Sequence, residues 1–360
     1  MPKLSDVCIK GTSNVAQKDL DARNGAYPIY GASGFIKNVD FYHQEKPYIA
    51  IVKDGAGVGR VMQLPAKSSV IGTMQYIIPN EGVSVEYLAY ALEHMNLSKY
   101  YLGAAIPHIY FKDYCGEILP NHTPEEQAHI SHVLGLVSNL IFLRKQQLSK
   151  LDELVKSRFV ELFGHQSHNE KNMSYGKIDD VAEIYLGLTH TPTYVEDGVK
   201  FISAKNTSCD YLDLSDVKYI SREEFEKAPK GTKPQIGDVL FSRVGSNLGH
   251  PVILDVAEEL CTFVSLGFLR TKGTVTNVYL KHWMRDDFFA EQVAQKVVGG
   301  GQPNLNTGWL KEFKIIIPPM SLQNEFTAFV EQTDKSKFEI QKSLEKLETL
   351  KKALMQKYFE

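Results

Sequence analysis

The stretch PEEQAHISHVLGLVSNLIFLRKQQLSKLDELVKSRFVELF, residues 124–163, decides the fold. Along it Ile130, Leu134, Val137, Ile141, Leu148, Leu151 and Val155 recur at steps alternating near four and three, with Arg144 as the polar break. This spacing draws one narrow apolar seam down a helix, which is the pattern of a coiled coil. Residues 321–359 repeat the rhythm with Phe326, Val330, Thr333, Ile340, Leu344, Leu347 and Leu354, interrupted at Lys337 and Lys351. At 1.5 Å per residue, helices of this length reach about 60 Å, far beyond the globular average. Helices so long are expected to act as spacers holding something at two fixed positions.

Working outward, other segments recur as well. Leu4-Ser5-Asp6-Val7 returns as Ile178-Asp179-Asp180-Val181, 174 residues on; Lys53-Asp54-Gly55 with Gly59 returns as Arg243-Val244-Gly245 with Gly249, 190 residues on. Gly103-Ala104-Ala105-Ile106-Pro107-His108-Ile109 matches Gly299-Gly300-Gly301-Gln302-Pro303-Asn304-Leu305, and Leu148-Ser149-Lys150-Leu151 matches Leu344-Glu345-Lys346-Leu347, both at an offset of 196. The order is kept and the offset grows only by small insertions. The period is too long for a solenoid, so the chain reads as two diverged copies of one unit, a domain followed by a long helix.

Between the helices, strand-like runs (Tyr48 to Val52, Gln75 to Ile78, Val239 to Phe241, Phe263-Val264, Ile315 to Ile317) alternate with turns rich in Gly, Asn and Pro. Helix patterns cover Val85 to His94 and Tyr279 to Val297, which makes each non-helical portion α+β. Thr123-Pro124-Glu125-Glu126 opens the first long helix and Gly164 closes it.

With 360 residues, 43% hydrophobic content and mixed charges, the chain has the makings of two soluble globular domains. It has no run of the roughly 20 apolar residues needed to span a membrane and no apolar leader at Met1-Pro2-Lys3-Leu4, so a cytoplasmic location is expected. Cys8, Cys115, Cys209 and Cys261 lie far apart and form no metal-type pair. The net charge of −3 stands against binding DNA by charge alone.

No catalytic signature emerges. Gly55-Ala56-Gly57-Val58-Gly59 lacks the spacing of a dinucleotide loop and precedes the strand-like Val61-Met62-Gln63-Leu64, so it reads as a hairpin turn. His129/His132 and His165/His168 have metal-like spacing, but the first pair lies on the long helix without a completing carboxylate and the second sits in a polar linker, so surface histidines account for them. Pro318-Pro319-Met320 lacks the Asn and the aromatic of an adenine methyltransferase loop. The turn residues are better recognition candidates. Lys53 and Arg243 hold equivalent positions beside glycines, which allow close approach to a phosphate or base edge. His108, Tyr110 and Lys112 face Asn304 and Asn306 across the repeat, and these are hydrogen-bonding types of the kind that read bases. The alternative for each is a turn residue bonding its own backbone.

These features resemble the DNA-specificity subunit of type I restriction–modification enzymes. The resemblance is carried by Gly25 to Gly31 (GAYPIYG), Lys53-Asp54-Gly55 with Gly59, Ile236-Gly237-Asp238-Val239-Leu240-Phe241-Ser242-Arg243, and the segments Thr123 to Gln127 and Ser321 to Glu325 that open the long helices. It implies an α+β chain with two target-recognition domains separated by two long antiparallel coiled-coil helices, with an internal pseudo-two-fold repeat. The expected boundaries are 1–120 and 177–317 for the recognition domains, 121–165 and 318–360 for the helices, and 166–176 for a linker. It further implies double-stranded DNA, two methyltransferase subunits and motor–nuclease subunits as partners. No cofactor is expected on this chain, S-adenosylmethionine belonging to the methyltransferase, and partners sharing the phosphate contacts would answer the charge objection. The candidate DNA-contacting residues are Lys53, Arg60, His108, Tyr110, Lys112, Lys205, Arg243, Ser246, Asn247, Gln302, Asn304 and Asn306. Two competing readings are a coiled-coil scaffold binding protein partners without a DNA role, and an enzyme with an unrecognised site.

Overall fold

Tyr48–Val52 is buried at all five positions, as a strand covered on both faces must be. Ile49 and Ile51 face a core with Ile77, Leu88 and Leu92, while Tyr48, Ala50 and Val52 face Val70, Met74 and Tyr76, the alternation that a period of two imposes. The computed structural model describes residues 1–101, 107–245, 247–296 and 304–360, and they divide into two units, Met1–Gln147 with Ile340–Glu360, and Leu148–Glu339.

In the first unit the strands Cys8–Thr12, Met74–Pro79, Tyr48–Val52 and Val61–Leu64 lie side by side in that order, antiparallel throughout. Helix Val85–His94 covers one face, its first turn capped by Ser84, whose Oγ accepts from Tyr87 N at 3.2 Å. A smaller sheet, Gly34–Val39, Tyr27–Gly31 and Ser69–Val70, completes the domain, its last pairing parallel.

The second unit repeats this plan. Ala182–Leu186, Leu266–Thr271, Val239–Ser242 and Pro251–Ile253 form an antiparallel sheet in the same order. Its companion sheet, Tyr194–Val195, Lys218–Ile220, Val199–Ile202 and Leu260–Thr262, again ends on a parallel pair. The duplication extends to single bonds. Gly59 N donates to Val52 O and Gly249 N to Ser242 O, both at 2.8 Å. Gln127 Oε1 accepts from Ser84 N at 3.2 Å and Gln323 Oε1 from Thr276 N at 2.7 Å, each tying a long helix to the start of a short one.

The long helices span Pro124–Phe163 and Met320–Phe359. Thr123 and Glu126 form a reciprocal cap at the start of the first, Thr123 N donating to Glu126 Oε2 at 2.8 Å and Glu126 N to Thr123 Oγ1 at 3.3 Å. Gly164, at φ +71°, ends it in the left-handed region. Within each unit the two helices run antiparallel. In the first, Lys145 pairs with Glu348 at 2.9 Å, and Ile130 and Leu134 pack with Met355. In the second, Lys337 reaches Asp152 and Arg158 reaches Glu325, while Val155 shares a core with Phe326 and Val330. Ile130, Leu134, Val137, Val155, Phe326, Val330 and Leu344 are buried; Ile141, Leu148, Leu151, Ile340, Leu347 and Leu354 are half-buried.

Two expected elements differ. The helix expected over Tyr279 to Val297 is two helices, Asn277–Trp283 and Asp287–Lys296, because Asp286 starts a new turn by accepting from Phe288 N at 2.9 Å; Val297 lies outside the described residues. The strand expected at Phe263-Val264 is Leu260–Thr262, with Phe263 making a single bridge to Leu188. Among the described residues no helix is long and apolar enough to cross a membrane.

Candidate nucleic-acid interface

In the first unit the glycine loop is the turn of the hairpin joining Tyr48–Val52 to Val61–Leu64. Gly55, Gly57 and Gly59 all have positive φ, and a Cβ on Gly59 would lie 2.5 Å from Ser98 N, so the loop is built for glycine there. The segment around His108 is sewn onto this turn. Gly55 N donates to Pro107 O at 2.9 Å and Ile109 N to Lys53 O at 3.0 Å. The Asp54 carboxylate meets His108 Nδ1 and also lies 3.8 Å from Lys53 Nζ. The His108 ring stands 4.1 Å from that of Tyr110, and Lys112 Nζ sits 5.2 Å from the Tyr110 centroid. Lys53, His108, Tyr110 and Lys112 are thus gathered into one patch, with Tyr110 exposed. Arg60 turns instead to Ala32 O, at 2.7 Å.

This arrangement sets cations, an exposed aromatic face and an imidazole oriented through its Nδ1 side by side, groups of the chemical types that can meet phosphates and base edges. Asp54 was not among the residues singled out from sequence. The available signal was its place inside the Lys53-Asp54-Gly55 turn that recurs as Arg243-Val244-Gly245.

The second unit uses the same backbone differently. Leu305 N donates to Arg243 O at 2.8 Å, matching Ile109 and Lys53. Arg243, however, is buried, not the solvent-facing cation expected from the turn. Its Nη1 donates to Val264 O at 2.9 Å, its Nε to Leu305 O at 3.3 Å and its Nη2 to Asn304 Oδ1 at 3.5 Å. Burial pulls its pKa below the usual guanidinium value. Arg243 is therefore a strut holding the exposed Asn304 in place. Asn306 caps helix Thr307–Glu312 by accepting from Gly308 N at 2.7 Å, the local role that turn residues can take. Lys205 pairs with Asp216 at 2.9 Å, and Asn247 is exposed on the hairpin turn. Ser246 and Gln302 lie outside the described residues, as do the Gly103 to Ile106 and Gly299 to Pro303 segments of the repeat.

Two copies of one α+β module, each presenting a glycine hairpin braced by a second loop, with diverged side chains on a common backbone, define a two-module recognition protein. The chain matches the model of the type I restriction modification DNA specificity domain over residues 1–153 and 170–352, and it belongs to that family. The family is one of specificity subunits and not of catalytic ones. The type I restriction enzyme MjaVIII specificity subunit of Methanocaldococcus jannaschii is 22% identical over 347 residues, covering 90% of this chain and 81% of that protein. The MjaIX specificity subunit of the same organism is 23% identical over 305 residues, covering 78% and 69%. The crystal structure of the type I restriction–modification S subunit from M. genitalium shares the fold, with a TM-score of 0.57 at 14% identity, covering 100% of this chain and 95% of that one. The family match favours a DNA-specificity role over a scaffold without one.

Proposed function

We propose that the chain reads a bipartite, asymmetric DNA site, one half through each module, and docks two methyltransferase subunits together with motor–nuclease subunits. The observation that carries this reading is the pair of braced hairpin turns: one backbone framework occurs twice, with Lys53, His108, Tyr110 and Lys112 on the first copy and Asn304 and Asn247 on the second. Unlike side chains on like frameworks suit two different half-sites. Residues 1–120 and 177–317 are the recognition domains in this reading, and the bound methyltransferase carries S-adenosylmethionine. Shared phosphate contacts reconcile DNA binding with a net charge of −3. Partner docking on the long helices is supported by Leu136, Leu140 and Leu143, which follow one another on one helix face and are all exposed. The charged positions Glu125, Lys150 and Glu345 are exposed on the same two helices.

The test is a methylation map of DNA exposed to the chain with its cognate methyltransferase subunit and S-adenosylmethionine. Two short, unlike half-sites separated by unread bases are expected. A continuous or palindromic target, or methyl transfer by this chain alone, sinks the reading.

A further inference from the structure

Arg60 and His250 occupy one repeat position, each following the last glycine of its turn at the offset of 190. Both reach out of the turn to a backbone carbonyl. Arg60 Nη1 donates to Ala32 O at 2.7 Å, and His250 Nε2 donates to Cys209 O at 3.0 Å. The two carbonyls lie at one place in the fold. In the first unit Tyr27–Gly31 pairs parallel with Ser69–Val70 and antiparallel with Gly34–Val39. In the second Val199–Ile202 pairs parallel with Leu260–Thr262 and antiparallel with Lys218–Ile220. Ala32 and Cys209 each belong to the connection between the antiparallel strands, Ala32-Ser33 in one copy and residues 203–217 in the other. Each glycine turn therefore has a second brace besides the loop of His108 or Asn304, and it has outlasted a change of side chain and of loop length.

Beside each braced carbonyl stands an exposed aromatic ring. Phe35, three residues beyond Ala32, is 60% exposed, and Tyr211, two beyond Cys209, is 62% exposed. A single exposed ring needs no explanation; one at the same brace in both copies does. Both rings also stand on anchored backbone. Tyr30 pairs with Phe35 across the hairpin, their rings edge-on at 6.1 Å, and packs with Ala32 on the core of Ala50 and Val52. Around Tyr211, Arg285 holds Asp210 at 2.7 Å, Leu212 packs on the core of Leu240 and Phe268, and Asp213 N donates to Asn206 O at 2.8 Å. Rings held this way lose little conformational freedom when something covers them. Divergence has kept the ring, Phe in one copy and Tyr in the other, while His108 has become Asn304. Stacking on a base is the contact that two unlike half-sites have in common, since every base has a π-face.

We propose that Phe35 and Tyr211 are equivalent stacking residues, each entering the base stack of its own half-site at one step. Arg60 and His250 are the positioning residues that set these rings against the glycine turns. On the functional reading above, on which this rests, each module meets one half-site, and the diverged hydrogen-bonding residues of the turns tell the two apart. An aromatic wedge at a step costs local unstacking and lets a bent duplex meet more protein surface.

The experiment uses the full chain assembled with its cognate methyltransferase subunit, on DNA carrying 5-iodouracil or 5-iodocytosine at successive positions of each half-site. Irradiation joins such a base to an aromatic ring stacked on it, and mass spectrometry reads the joined residue. Phe35 should crosslink within one half-site and Tyr211 within the other. Phe35→Ala and Tyr211→Ala should each weaken specific binding about tenfold, through one half-site only, with the salt dependence unchanged because no charge is lost. Phe35→Tyr and Tyr211→Phe, which keep the ring, should recover most of that loss. Arg60→Ala should lose the Phe35 crosslink and His250→Ala the Tyr211 crosslink, each sparing the other. His250→Gln, which can still donate to Cys209 O, should restore its own. Both rings are exposed, so unchanged thermal unfolding of the alanine variants is the control for folding. Alanine variants that bind DNA as the wild type does, with no crosslink to either ring, overturn the stacking and leave the functional reading standing. Loss of the methyltransferase subunit from these variants, seen by native mass spectrometry, also overturns it, the rings then covering a protein surface. A wild-type assembly without sequence-specific DNA affinity overturns both readings together.

Discussion

Arg243 places three donors against Val264 O, Leu305 O and Asn304 Oδ1 inside the second unit. Removing the guanidinium leaves two backbone carbonyls short of partners and releases Asn304. Arg243→Ala should therefore cost about 3 kcal/mol, read by denaturant unfolding, and Arg243→Lys should recover little of it because an ammonium cannot reproduce the fork. Lys53→Ala, at the equivalent position but partly exposed, should leave unfolding within about 0.5 kcal/mol of the wild type and weaken DNA binding with a shallower salt dependence. Sequence placed both cations in glycine turns correctly. Which one points inward depends on carbonyls from a distant strand and loop, and no local pattern reports those. His282 adds a pH dependence. Burial first, then Arg285, Lys281 and Lys337, hold its pKa down to about 3 against an ordinary 6.5. The unfolded chain therefore binds the extra proton between about pH 3 and 6.5, so stability falls as pH drops through that window, by at most about 1.4 kcal/mol per unit. His282→Phe, which keeps a ring beside Phe326, should flatten the acid limb of stability plotted against pH.

At the scale of elements, the seam along the long helices is not uniform. Leu134 is fully buried where helix Val85–His94 also packs on it through Tyr87 and Tyr90, and Phe326 where a sheet and helix Asn277–Trp283 share its core, whereas Leu151 and Leu347 are half-buried. Leu134→Ala should cost roughly 2–5 kcal/mol and Phe326→Ala roughly 3–5, with Leu151→Ala well below both; equal losses at all three in chemical unfolding would show a uniform seam. The heptad rhythm was legible because a two-helix interface selects one face. Phe159, Phe163 and Met355 were missed because they serve a third neighbour. Phe159 stacks on Tyr279 at 5.5 Å and Phe163 meets it edge-on at 4.8 Å, and a two-helix template has no position for such contacts. The break at Asp286 escaped for a related reason, since a mid-pattern aspartate looks like a solvated helix residue until its bond to Phe288 N is seen.

For the whole molecule, the duplication was the most legible property, because repeats survive divergence as ordered matches even where single motifs are weak. The bipartite reading makes a demand on the DNA that either copy alone would not. If both modules engage one side of a duplex, the half-site centres should lie about one helical turn, 10–10.5 bp, apart. One added base pair then rotates the second half-site by roughly 35° and shifts it by about 3.4 Å, displacing every base edge and phosphate that the second module would meet. Binding by the assembled complex, titrated at fixed salt against a series of spacers, should therefore fall sharply for a spacer one base longer or shorter. Substitutions in the Lys53–His108–Tyr110 patch should change tolerance at one half-site only. Affinity that declines smoothly over several spacer lengths would mean that the two modules bind independently, and equal changes at both half-sites from a single substitution would mean that they do not divide the site between them.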